Sequence, residues 1–297
     1  MTPYRRLIAG LALAAGLGMS AGPAVGGVVT TISGNQAIAD ISLHSGLHAY
    51  AAQVTITFDA PVNLSASELN LTAEVVDPYD STLQARLGCV LALPDCPVAV
   101  DPAFPVMITV EPLNAGPAGS LQFRNVYAFE LHAANLDCTA PQSGASCPTT
   151  SYRLFKAPVG GAFGDVTDAV LKGSVRARGT GGSFSQFLIV RDQRLALVVY
   201  LEKASALLTR ITVSTLDSVL EGELLDLLSA VNSAVLFGNY AGAIASLDQL
   251  LALVQNQAGS GIANAWSADH SLSNDAGDIE SLVNTLRYTL VRLQNGG

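Results

Sequence analysis

Apolar residues step by two along roughly the first two thirds of this chain and by three or four along the rest. Gln53-Val54-Thr55-Ile56-Thr57-Phe58 alternates polar with apolar, the mark of a half-buried strand. Val28–Ser33 and Gln36–Leu43 flank a Gly34-Asn35 turn pair and read as two short strands. Glu68–Val76 alternates through Leu69, Leu71, Ala73 and Val75 and stops at Asp77-Pro78. Val106–Val110 adds a β-branched segment. Leu121–Leu131 gives the longest strand pattern, with Phe123, Tyr127, Phe129 and Leu131 on one face and Asn125 as the exception. Tyr152–Phe155, Val170–Arg178 and Phe184–Val190 complete the set. Pro and Gly at the junctions, with no helical period between the strands, predict an antiparallel β-sandwich of jelly-roll or Ig-like kind over residues 27–191.

The period then changes, and residues 192–297 are expected to form an all-helical hairpin or bundle domain, making the chain α+β. Leu195–Leu208 is ambiguous between strand and helix, and Glu202, Lys203, Ala204 and Ala206 favour the helix. From Asp217 to Gln257 two runs carry apolar stripes, Val219, Leu220, Leu224, Leu227, Leu228, Val231 and Val235 in the first and Ile244, Leu247, Leu250, Leu251 and Val254 in the second. Gly238-Asn239 separates them, so they form an antiparallel hairpin whose apolar face needs further cover. A possible single turn at Ile262–Trp266 precedes a last helix capped by Asn274 or Asp275.

Composition adds a compartment. Arg5 and Arg6 precede an apolar run from Leu7 to Met19 and then small residues, which is the order of a secretory signal peptide spanning residues 1–26. That run is too short to span a bilayer, and no later run reaches spanning length, so no transmembrane span is expected once the signal is removed. The chain holds 4 Cys. Local bridges Cys89–Cys96 and Cys138–Cys147 suit a secreted or periplasmic protein, and their spacing is not that of zinc ligands, so no metal is expected.

Charge is uneven. The balance is −9 over residues 27–150, +5 over 151–210 and −7 over 211–297, which makes nucleic acid a poor partner. Candidate chemistry is sparse. Arg176, Arg178, Arg191 and Arg194 are a possible anion-binding patch, and Asp165 with Asp168 a possible acidic loop of the kind that paired-carboxylate hydrolases need. The carboxylates Asp269, Asp275 and Asp278 form a second such group, and neither matches a calcium-loop ladder. No Gly-x-Ser-x-Gly elbow, zinc-protease helix or phosphate loop occurs, and neither His132 nor His270 has a nucleophile nearby in sequence. No catalytic residue or cofactor is assigned. Asn63-Leu-Ser and Asn70-Leu-Thr read as chance glycosylation sequons.

Arg153-Leu-Phe-Lys-Ala-Pro-Val-Gly-Gly, Asp165-Val-Thr-Asp168, Gly173-Ser-Val-Arg-Ala-Arg-Gly and Phe184-Ser-Gln-Phe-Leu-Ile-Val-Arg-Asp together resemble an uncharacterised family of exported proteobacterial proteins, a domain of unknown function. The Gly238-Asn239-Tyr240 turn with Ala243-Ile244 resembles the helical FIMAH-type module of large exported bacterial proteins, a resemblance that implies an accessory role. The sequence therefore leads to an exported, non-catalytic binding or structural protein of the cell envelope, with a glycan or another envelope protein as partner. The alternative is a polysaccharide hydrolase using Asp165 and Asp168.

Overall fold

A computed structural model describes residues 25–89, 96–114, 119–138, 151–171 and 173–296. Residues 1–24 of the signal-like segment and Cys147 lie outside the described residues, as does the Cys138 side chain, while Val25 and Gly26 begin the first strand. In chain order the elements are β1 (Val25–Ser33), β2 (Gln36–Ser45), β3 (His48–Val62), α1 (Ala66–Leu69), β4 (Leu71–Val75), α2 (Ser81–Arg86), β5 (Val98–Val100) and β6 (Val106–Val110). There follow β7 (Gln122–Cys138), β8 (Tyr152–Ala157), β9 (Gly164–Asp165), β10 (Thr167–Leu171), β11 (Gly173–Gly181) and β12 (Gln186–Asp192). The last part holds α3 (Ala196–Val213), α4 (Ser218–Leu236), α5 (Tyr240–Gln257), β13 (Trp266–Ser267) and α6 (Asp275–Gln294).

The described strands form two antiparallel sheets, one ordered β1-β2-β3-β7-β11-β10 with β13 on β7, the other β4-β6-β12-β8-β9 with β5 on β12. Gly34, at φ 59, makes the β1–β2 turn that pairs Ser33 with Gln36. Alternation does the rest. Val54, Ile56, Phe129 and Leu131 from the first sheet share one buried cluster with Ile108, Leu154, Phe187 and Ile189 from the second, and the Phe129 and Phe187 rings stack 3.9 Å apart. The far face of the second sheet is covered by Leu83 of α2 and by Leu87, beside the Cys89–Cys96 disulfide.

Three local expectations are corrected. Val170–Arg178 is not one strand: it is divided between β10 and β11, which pair antiparallel with Leu171 opposite Arg176, and Gly173 at φ 86 supplies the reversal. Glu68 is helical, because Ser65 caps α1 by accepting from the Glu68 N–H at 3.1 Å, a Ser-x-x-Glu signature that outweighs the alternation around it. Trp266 does not sit in a helical turn. It pairs with Phe123 as β13 and joins the aromatic end of the sheet core, 5.2 Å from both the Phe123 and Phe184 rings.

Helices α3–α6 have their own apolar cluster. Asp217 caps α4, Asn239 caps α5 and Asn274 caps α6, each through its side-chain oxygen. Helix α6 lies between this cluster and the first sheet, touching β7, β10 and β11. Its sheet-facing side is polar: Thr285 donates to the Thr167 carbonyl at 2.8 Å and Ser281 to the Thr180 carbonyl at 2.5 Å. A Cβ on Gly182 would fall 2.5 Å from the Asp278 nitrogen, so the first turn of α6 approaches the sheet as closely as glycine allows.

Candidate functional site

Helix α3 packs on α6, α6 on α5 and α5 on α4, and of the four neighbouring pairs that close the group α3 and α4 share the least contact. On α3 the spacing puts Leu207 and Ile211 into the core and turns Leu197, Leu201 and Leu208 outward. On α4 Leu224, Leu228 and Val231 face inward, and Leu225, Asn232 and Leu236 line the next stripe. Between the two stripes lies an apolar groove of about 880 Å3, closed at one end by Gly238 and Tyr240. The Tyr200 hydroxyl bridges it by donating to Asn232 Oδ1 at 2.5 Å, and burial pushes that phenol up to about 12. Of the groove's lining residues Leu201 is 59% exposed and Leu236 80%, large apolar side chains left to solvent.

The seam between helices and sheet is a second concentration of unusual groups. Lys203, 5% exposed, lies 2.7 Å from the Asp165 carboxylate and donates to Thr289 Oγ1 at 2.9 Å and the Thr285 carbonyl at 3.1 Å. Burial would raise the Asp165 carboxyl, but the Lys203 ammonium and two hydrogen bonds from Thr167 hold it below the usual range. Burial lowers Lys203, with Arg153 and Arg292 nearby adding to the effect and Asp165 opposing it. Asp168 instead is raised to about 6 by burial, against the pull of Arg178 and Lys203. Lys156, lowered to about 8 by burial, donates to the Ser183 carbonyl at 2.5 Å and sits 5.7 Å from the Tyr127 ring.

Of the four arginines expected as a patch, Arg176 and Arg178 lie on β11 of the first sheet, Arg191 on β12 of the second and Arg194 in the connection from β12 to α3. Arg178 pairs with Glu130 across β11 and β7, Arg191 with Asp101 at 2.7 Å, and Arg194 with Asp192 at 2.7 Å and Glu202 at 2.5 Å. Arg176 is placed opposite His132 in the β11–β7 register. His132 Nε2 lies 2.6 Å from Ser174 Oγ, a neighbour from 42 positions along the chain. Asn63 and Asn70 both take positive φ, 58 and 47, and their side-chain amides donate to the Ser120 and Glu111 carbonyls, so backbone geometry accounts for both asparagines. Among the described residues no group of His, Cys, Asp and Glu could hold a metal ion, and no helix is long and apolar enough to cross a membrane.

A family model described as a family of unknown function, DUF6689, matches residues 9–294. The chain belongs to that family. The match runs through β1 to α6, so the groove and the seam both lie within the DUF6689 region. No curated protein and no solved structure matches the chain.

The apolar face of the α4–α5 hairpin that needed cover is buried with residues of α3 and α6. The groove lies on the neighbouring stripe of α4, at Leu225, Asn232 and Leu236, and its outward leucines of α3 follow from how α3 sits on α6.

Proposed function

We propose that the protein is an exported, non-catalytic binding protein of the cell envelope or extracellular space. In this reading residues 27–191 are a β-sandwich of jelly-roll or Ig-like kind that serves as the scaffold. Residues 192–297 are a helical domain presenting the α3–α4 groove to an apolar helical segment of another chain. The observation that carries the reading is the groove: three sides of the helical group are closed by packing, and the fourth exposes Leu197, Leu201, Leu208 and Leu236 around a concave floor. The helical-module resemblance supports an accessory role in the same direction. The Cys89–Cys96 bridge fits an oxidising compartment.

A hydrolase has less support. Asp165 is engaged by Lys203 inside the seam, so it is not poised beside Asp168 over an open cleft.

The test is binding of a neutral solvatochromic dye, Nile red, to the full chain and to the Leu201→Asp, Leu208→Asp double variant. Both leucines are exposed, so the variant keeps its fold, and loss of the fluorescence enhancement with unchanged circular dichroism is expected. Undiminished enhancement would remove the groove as the binding site. Turnover on a glycan panel that disappears in an Asp165→Asn, Asp168→Asn variant would establish the hydrolase instead.

A further inference from the structure

We infer that the occupant of the α3–α4 groove is a cationic amphipathic helix of about three turns, an inference that rests on the docking reading above. Length comes from the groove itself. Its α3 wall runs from Leu197 to Leu208, which at about 1.5 Å per residue is about 16 Å. A helix laid along it would present leucine-like anchors at i, i+3, i+4 and i+7 to the apolar floor.

Charge comes from the rim. No Lys or Arg occurs between residues 211 and 286, a stretch that holds nine Asp and Glu. Helix α4 with its cap carries Asp217, Glu221, Glu223 and Asp226, and none of the four is in an ion pair among the described residues. Glu221 stands one turn before Leu225 on the groove-facing stripe, and Asp226 lies on its outer flank. The basic side chains of the opposite wall are committed elsewhere. Arg210 reaches α6, binding Asp275 at 2.5 Å and Asp278 at 3.1 Å, and Lys203 is inside the seam with Asp165. Arg194, near the start of α3, is held by Asp192 and Glu202.

Helix ends do not change the sign. The α4 N-terminus and the α3 C-terminus contribute about +0.5 and −0.5 charge, which offset each other where the two helices are joined. The apolar floor is therefore bordered by uncompensated carboxylates at the Leu208–Leu225 end. A basic helix gains attraction there, and an acidic helix or an anionic lipid surface meets repulsion.

The described chain begins away from the groove. Val25 pairs with His44, and His44 with Ala49, at the end of the first sheet near Asn135. The helices dock at the other end of β7, through Asn125. The described chain thus starts at the end of the sheet remote from the groove.

The experiment uses the full chain and two labelled synthetic peptides with the same leucine pattern, one with lysine at every polar position and one with glutamate. Fluorescence anisotropy at low salt is expected to give at least about tenfold tighter binding for the lysine peptide, with the ratio shrinking as ionic strength rises. A Glu221→Gln, Asp226→Asn variant is expected to lose several-fold of that preference. Equal binding of both peptides would overturn the charge inference and leave the docking reading standing. Binding of neither would overturn both. Binding that appears only when residues 1–24 are removed would make that segment the occupant, and capture by anionic vesicles in preference to the lysine peptide would make it a membrane. Either result overturns the inference.

Discussion

The Asn274 side-chain amide donates to the Asn125 carbonyl at 2.6 Å, joining the cap of the last helix to an irregularity in the longest strand. Asn125 has φ 53, and the β3–β7 register shifts beside it. Its N–H is taken by Asn264 Oδ1 at 2.8 Å, and Asn264 Nδ2 returns a bond to Asn125 Oδ1 at 2.6 Å. Three asparagines therefore tie the helical part to the sheet.

This arrangement separates capping from docking. Asn274→Asp keeps the oxygen that accepts from the Gly277 N–H but loses the donor to the Asn125 and Gly182 carbonyls, and it places a charge at a position only 3% exposed. A pure cap would tolerate the change, since Asp caps as well as Asn. The expected outcome is a loss of about 2 kcal/mol or more in urea unfolding, from carbonyls left without a donor and a carboxylate beside them.

The Lys203–Asp165 pair carries a similar asymmetry. Lys203→Met leaves a carboxylate whose side chain is 3% exposed without its cation, and a loss of about 3 to 5 kcal/mol is expected. Adding Asp165→Asn removes the orphaned charge, so the double variant should be more stable than Lys203→Met alone. A double-mutant cycle from denaturant curves checks this, and additive losses would show that the two groups are not coupled.

Asp168 predicts a pH dependence of defined sign. Its folded-state carboxyl is raised to about 6 from an ordinary value of 3.8, so between those values the folded chain binds more protons than the unfolded chain. Stability must then fall as pH rises from about 4 to about 6 on account of this group. Asp168→Asn should flatten that part of the profile relative to wild type. Unfolding curves at half-unit steps across about pH 4 to 7 read it directly, and an unchanged slope would remove the assignment.

Much of this was legible because local chemistry and burial agree. The Gly238 break and the leucine stripes of α4 and α5 are in the sequence and appear in the structure, while Asn239, expected as part of the break, is instead the cap of α5. So does the change of period after Asp192, the last residue of β12. The helical segment at Glu68 was hidden under a short alternating pattern, and only its Ser65 cap marks it. The seam was opaque for a different reason. Lys203 reads as a solvent-facing helix residue, and its burial depends on Asp165, Thr285 and Thr289 arriving from other elements. Two signals pointed toward it: Ser281, Thr285 and Thr289 form a polar stripe at a spacing of four on α6, and Asn125 breaks the alternation of β7. Both are the places where helix meets sheet.

The central claim, that the open side of the helical group is the docking surface, is tested most directly by the hydrogen-exchange footprint of the bound lysine peptide on the full chain. Slower exchange confined to α3 and α4, centred on Leu197–Leu208 and Leu225–Leu236, is the predicted result. Slower exchange on the strand face bearing Arg176 and Arg178, with α3 and α4 unchanged, would contradict it.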